Sequence, residues 1–167
     1  MHGSVSAWVA EQVSANGLAA KNTLEVASFA QSDLPEHCPT RHLFTGPFIG
    51  VDKRPGPNVD RVADASDLPF ADSTFDVVVC TEMLEHDLYP WGSVREMARV
   101  LSPGGCLILT ARGFDDRGCY PVHDHPVDYW RFTPGAVFAM LDVAGLVGIT
   151  TMIDPECPGV FATALGK

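Results

Sequence analysis

No Cys-x-x-Cys pair occurs among the five cysteines, Cys38, Cys80, Cys106, Cys119 and Cys157. Their odd number argues against a disulfide framework, and Cys80 and Cys106, each inside an apolar run, read as core thiols suited to a reducing compartment. No apolar run approaches the ~18 residues a membrane span needs. Met1-His2-Gly3-Ser4 brings no basic segment ahead of an apolar one, so a cytoplasmic protein with no membrane partner is expected. Lys and Arg number only 11 against 21 Asp and Glu, for a formal net charge of -10, and Lys53-Arg54 is the sole adjacent basic pair. A polyanion is met by clustered cations that release its counterions, so nucleic acid is not an expected partner. There is also no glycine between Gly17 and Gly46, no G-x-x-x-x-G-K-[ST] phosphate loop and no G-x-S-x-G elbow. A dinucleotide pyrophosphate is held by G-x-G-x-x-G opening a helix, where bare amides and the helix dipole meet the anion. NAD-dependent, nucleotide-hydrolase and esterase chemistries therefore lose their main supports.

What remains is an ordinary globular composition, 46% apolar and 19% charged, and a length that fits one domain over residues 1–167. Ser4 can cap a first helix within residues 1–20, with Val5, Trp8, Val9 and Val13 at helical spacing and Gly17 near its end. Strands are expected at residues 23–27, 47–52, 62–63, 75–80 and 106–110. The run Phe75-Asp76-Val77-Val78-Val79-Cys80 has the β-branched character of a strand buried on both faces of a parallel sheet. A short helical turn is expected near residues 40–44. Pro90 opens a helix with Trp91, Val94, Ala98 and Leu101 on one face, stopped by the turn Ser102-Pro103-Gly104-Gly105. Thr133-Pro134 opens another, with Val137, Met140, Leu141 and Ala144 on one face and Gly145 at its end. Residues 146–152 and 160–165 read as a final antiparallel pair. The stretch 112–132, after the strand at 106–110 and before the helix opened by Thr133-Pro134, is long for a connection and is expected to be functional or a lid on the substrate side.

Alternating strands and helices give an α/β fold with a mostly parallel sheet. About nine residues join the second and third strands and about twelve the third and fourth, too few for a full helix, since a crossover needs roughly 10 to 12 residues including one. Reduced helices there leave one face thinly covered, to be covered by a partner subunit, as in a homodimer, or by substrate.

In open α/β sheets a ligand lies outside the carboxyl ends of the strands. Those ends carry Glu25, Ala27 and Ser28; Asp52; Asp64 and Ala65; and Cys80, Thr81 and Glu82. The Asp52 carboxylate can accept both hydrogen bonds from a ribose diol, or cap a turn. Asp64 can accept from an adenine amino group with the Ala65 amide on a ring nitrogen, or start a turn. S-adenosylmethionine has no phosphate and carries a cationic sulfonium, so acidic surroundings suit it better than they suit a dinucleotide.

The order Thr23-Leu24-Glu25-Val26, Gly50-Val51-Asp52 and Ala63-Asp64-Ala65-Ser66-Asp67-Leu68-Pro69-Phe70 resembles the class I S-adenosylmethionine-dependent methyltransferases. So do Phe75 to Cys80 running into Glu82-Met83-Leu84-Glu85-His86, and Arg99-Val100-Leu101-Ser102-Pro103-Gly104-Gly105 before a strand. The resemblance covers about residues 20–165. It implies a Rossmann-like seven-stranded sheet with the last strand antiparallel, and S-adenosylmethionine as cofactor. The cofactor's amino-acid part is then expected near residues 25–28 and 80–82, its ribose at Asp52, and its adenine near Asp64 and Ala65. One departure stands out. Where the family has a glycine-rich loop, this chain reads Ala27-Ser28-Phe29-Ala30-Gln31, and a Cβ resists positive φ and fills space where backbone approaches the ligand.

A second cluster runs from Cys119 to Phe132 and includes His123, Asp124, His125, Asp128, Tyr129, Trp130 and Arg131. His86, His123 or His125 can act as general base for an alcohol or phenol acceptor, or play capping and structural roles. Tyr129 and Trp130 read as packing groups, and Arg131 as a partner for Asp128 or an acidic substrate group. Cys119, His123 and His125 have ligand types that suit zinc, but three irregularly spaced ligands in one loop with no fourth argue for no metal. The expected activity is methyl transfer to oxygen or nitrogen of a small molecule. The competing expectation is a non-catalytic scaffold that kept the sheet and lost the cofactor.

Overall fold

A computed structural model of the chain describes residues 3–30, 40–114, 127–154 and 159–167. Helix α1 (Gly3–Ala15) leads into β1 (Thr23–Val26) and β2 (Phe48–Asp52), with a 3-10 turn at Arg41–Leu43 between the two strands. Then follow β3 (Arg61–Val62), β4 (Phe75–Thr81), a second 3-10 turn at Leu84–His86, and α2 (Pro90–Val100). The chain closes with β5 (Leu101–Arg112), α3 (Pro134–Val143), β6 (Val147–Ile153) and β7 (Gly159–Leu165). The seven strands form one sheet in the order β3-β2-β1-β4-β5-β7-β6. The β1–β2, β1–β4, β2–β3 and β4–β5 pairs are parallel, and β7 runs antiparallel to both β5 and β6.

Two-residue alternation explains the layers. Val78, Cys80, Leu107 and Leu109 face the core shared with Val94, Met97, Val137 and Leu141 of α2 and α3. Val77, Val79, Cys106 and Ile108 point the other way, onto Val9 and Val13 of α1. The two thiols are core groups, as their surroundings in the sequence suggested. Ser4 lies inside α1 rather than at its cap, and its hydroxyl donates to Asp154 Oδ2 at 2.6 Å. Thr133 does cap α3, accepting from the Ala136 amide at 3.1 Å.

Two expectations shift. Residues 102–105 are not a free turn before a strand; they bulge within β5, which starts at Leu101 opposite Phe75 and resumes at Cys106 opposite Val77. Leu101 therefore belongs to the strand rather than to the helix face. The buried side of α2 is Pro90, Ser93, Val94, Met97 and Val100, a stripe rotated from the one hydrophobicity alone suggested. Ser93 turns inward because its hydroxyl donates to the buried Asp87 carboxylate. Trp91 turns outward onto Trp130, with ring centroids 5.4 Å apart and edge to face.

The short connections carry no helix: both residues of β3 are exposed, and residues 63–74 form a loop. Arg99 on α2 secures that loop, with its guanidinium donating to the Leu68 and Phe70 carbonyls and pairing with Glu96 and Asp72. No helix among the described residues is long and apolar enough to cross a membrane.

Candidate functional site

The strand order reverses at β1, with β2 on one side and β4 on the other. At such a switch point the connections leave in opposite directions and open a crevice at the carboxyl ends of the strands. Two non-glycine residues with left-handed backbone follow these strand ends: Ala27, after β1, has φ 62°, and Glu82, after β4, has φ 53°. Such conformations cost of order 1–3 kcal/mol each and collect at functional sites.

Asp52 ends β2 with its side chain largely covered. Its Oδ2 accepts the Phe29 amide at 3.3 Å and its Oδ1 the Arg54 amide at 2.9 Å. A carboxylate oxygen has two acceptor sites, so each retains one for a diol hydroxyl. Glu25 is a buried bridge rather than an open carboxylate. It is 1% exposed, accepts from Thr40 Oγ1 at 2.6 Å and from Asn58 Nδ2 at 2.7 Å, and burial pushes its carboxyl up to about 7 against those hydrogen bonds. Ser28 is fully buried beside Gly50. A Cβ at Gly50 would lie 2.2 Å from the Asn58 carbonyl oxygen and 2.6 Å from Ser28 Oγ. Gly50→Ala is therefore expected to lower unfolding free energy by about 1–3 kcal/mol, the usual cost of overpacking, measured by urea denaturation; an unchanged midpoint would show that the approach is not needed.

Asp64 is bound up locally. Its Oδ1 accepts the Ser66 amide at 2.9 Å and hydroxyl at 2.8 Å, and its Oδ2 lies 3.2 Å from Lys53 Nζ. Partial burial opposes ionisation, but the Ser66 bonds and Lys53 together hold the carboxyl below its ordinary range. The turn-starting role expected for Asp64 is thus present, and Ala65 beside it is buried. Cys80 is buried at the end of β4, with its thiol pushed up by desolvation and by the surrounding carboxylates. Thr81 closes the strand, and Glu82 pairs with Arg112 of β5 at 2.8 Å.

Beside these strand ends stands a second ionic group. His86 lies in the turn after β4, with Nδ1 2.9 Å from Asp128 Oδ1 and 3.2 Å from the Val127 carbonyl oxygen. Asp128 pairs in turn with Arg131 at 2.7 Å, the pairing the sequence suggested for that arginine. Glu85, 1% exposed, sits with its Oε1 3.8 Å from His86 Nε2. Burial, reinforced by the Glu82 charge, pushes the Glu85 carboxyl up to about 8. The Glu85 carbonyl accepts the Tyr129 amide at 2.7 Å, and Trp130 Nε1 donates to the Asp87 carbonyl at 2.8 Å, which fixes residues 127–130 against the turn. His123, His125, Cys119 and Asp124 lie outside the described residues, and with them the zinc question and most of the expected lid.

The Asn58 network was missed. Its one signal in the sequence is the turn-forming run Arg54-Pro55-Gly56-Pro57-Asn58, since Asn tolerates positive φ better than other side chains do; its φ is 68°.

Comparisons with known proteins bear on one segment and on the fold. Residues 46–109 match a family model described as a methyltransferase domain. A 47-residue stretch is 51% identical to 27-O-demethylrifamycin SV methyltransferase of Amycolatopsis mediterranei, covering 28% of this chain and 17% of that protein. A 63-residue stretch is 40% identical to demethylmenaquinone methyltransferase of Paenarthrobacter aurescens, covering 37% of this chain and 25% of that one. The matches thus span a quarter or less of the length of these relatives. In fold, the chain is similar to the crystal structure of 1,6-didemethyltoxoflavin-N1-methyltransferase from Burkholderia thailandensis, which has bound S-adenosylhomocysteine. That TM-score is 0.73 at 15% identity, over 98% of this chain and 78% of the other. In its matched segment the chain is similar to methyltransferase domains, and its fold is similar to that of S-adenosylmethionine-dependent methyltransferases of known structure.

Proposed function

We propose that the chain binds S-adenosylmethionine at the switch point beside β1 and passes its methyl group to oxygen or nitrogen of a small-molecule acceptor. The observation that carries this reading is the pair of left-handed strand ends, Ala27 and Glu82, at the switch point, with Asp52 at the end of the neighbouring β2. Asp52 suits the ribose through its two remaining acceptor positions. Residues 27–28 and 80–82 form the wall expected to face the amino-acid part, and Ala65 lies toward the adenine end. When bound, the cofactor supplies an activated methyl group on a cationic sulfur. The protein's part is to hold the acceptor in line with it, and positioning of that kind contributes up to roughly 7–11 kcal/mol in favourable cases. An acceptor hydroxyl or amine must also lose a proton, and an imidazole suits that role near neutral pH. His86, in the turn after β4 and oriented by Asp128, is the described residue assigned to it.

Calorimetric titration with S-adenosylhomocysteine tests the reading: one site per chain is expected, and a silent titration overturns it. One observation favours a non-catalytic scaffold instead: Ala27 and Phe29 stand in the loop where the family has glycine, and Lys53 already pairs with Asp64. The silent titration is the result that second reading requires.

A further inference from the structure

We propose that Asn58, in the β2–β3 connection, is a positioning residue that holds the first loop in the shape glycines would otherwise permit, and so forms the cofactor site. The assignment rests on the cofactor reading above. A left-handed Ala27 costs about 1–2 kcal/mol, and it persists only if the surroundings leave the chain no alternative.

Among the described residues, the restraints on this loop come from one place. The Ser28 amide donates to the Val51 carbonyl at 2.9 Å, the Phe29 amide to Asp52 Oδ2 at 3.3 Å, and the Ala30 amide to the Pro57 carbonyl at 3.1 Å. The remaining tie is the Ser28 carbonyl, which accepts from Asn58 Nδ2 at 2.8 Å. Every one of these partners lies between residues 51 and 58. Asn58 is the hub. The same Nδ2 donates to Glu25 Oε2 at 2.7 Å, and Oδ1 accepts from Arg41 Nε at 2.5 Å. A carboxylate on one side and a guanidinium on the other fix the amide's orientation.

The hub is itself held. Arg41 also pairs with Asp60, whose Oδ2 accepts the Gly50 amide at 2.7 Å. Space is cleared for the approach at two glycines. Gly50 admits the Asn58 backbone, and Gly56 admits the Phe29 ring, which a Cβ would meet at 2.4 Å. The Arg54 guanidinium stacks over the other part of that ring, 4.3 Å from its centroid. Phe29 is thus lodged against the connection. A connection too short for a helix works as a buttress for the neighbouring loop.

The test is a double-mutant cycle on the full chain, with Asn58→Gly and Ala27→Gly alone and together. Glycine at 58 removes the side chain without straining a left-handed residue. Each protein is titrated with S-adenosylhomocysteine by calorimetry and unfolded in urea without ligand. Asn58→Gly is expected to weaken binding at least 10-fold. Ala27→Gly is expected to improve affinity at least 5-fold more in the Asn58→Gly background than in the parent, because it supplies the freedom that Asn58 otherwise makes unnecessary. Equal effects of Ala27→Gly in both backgrounds, or parental affinity in Asn58→Gly, overturn the assignment. If the parent titration is silent, the cofactor reading fails first; coupling of the two substitutions in urea then sustains the loop-holding role, and additivity there removes it too. Should Asn58→Gly not fold, Asn58→Asp keeps the shape and the tolerance of positive φ while losing both donated bonds, and takes its place in the cycle.

Discussion

Asp52→Ala is expected to weaken S-adenosylhomocysteine binding by on the order of 100-fold. Hydrogen bonds to a charged group contribute roughly 1.5–3 kcal/mol each, and two of them to a ribose diol amount to about 3 kcal/mol, or two decades in Kd. The Asp52 carboxylate also accepts the Phe29 and Arg54 amides, so part of the loss comes through the loop. Asp52→Asn separates the parts. It keeps an oxygen acceptor but turns a donor toward one of these amides or toward the diol, and an intermediate loss is expected. Calorimetry on variants with unchanged circular dichroism reads the effect. A Kd within threefold of the parent in Asp52→Ala would remove the ribose assignment.

Stability is expected to fall as pH rises from about 4.5 to 8. Two buried carboxyls, Glu25 and Glu85, titrate near 7 and 8 in the folded chain against an ordinary 4.5, burial being the main cause for each. Between the unfolded and folded values the native state holds protons the unfolded state has released, so unfolding free energy decreases with pH across that window. At 1.36 kcal/mol per pKa unit, Glu25 alone accounts for roughly 3 kcal/mol. The lowered carboxyls of Asp64 and Glu96 work in the opposite sense, but their stabilisation is lost only as pH falls below the ordinary carboxylate range. Glu25→Gln can keep both bonds, its amide nitrogen facing Thr40 and its oxygen facing Asn58. Its urea midpoint is expected to match the parent near pH 5 and to exceed it at pH 8. Parallel pH profiles for the two proteins would count against the raised Glu25 value.

Much of this architecture is legible in the sequence because its signals are local. Pro90 at the first turn of α2, Thr133 capping α3 and the Val77–Cys80 run each report on a few neighbouring residues. The α2 face was misjudged because Ser93 is buried by a hydrogen bond and Trp91 is drawn out by another ring, and hydrophobic periodicity counts neither. The strand-end carboxylates were legible as a set, but not their individual states. Glu25 and Asp52 look alike in sequence, yet one is enclosed by Thr40 and Asn58 and the other accepts the Phe29 and Arg54 amides. Those partners lie 15 and 33 positions from Glu25, and only the completed sheet brings them together. The missing glycines were legible as a departure. How the chain compensates was not, because the compensation is supplied by a different connection.

The placement of β7 bears on how the molecule is made. Synthesis produces it after β5 and β6, yet it lies between them. Until residues 159–165 leave the ribosome, β5 and the β6 hairpin arm each present an open hydrogen-bonding edge, the kind of surface that invites pairing with another chain. β7 joins the two parts, so the nascent protein stays exposed to mispairing, and to chaperones, until residues 159–165 are delivered.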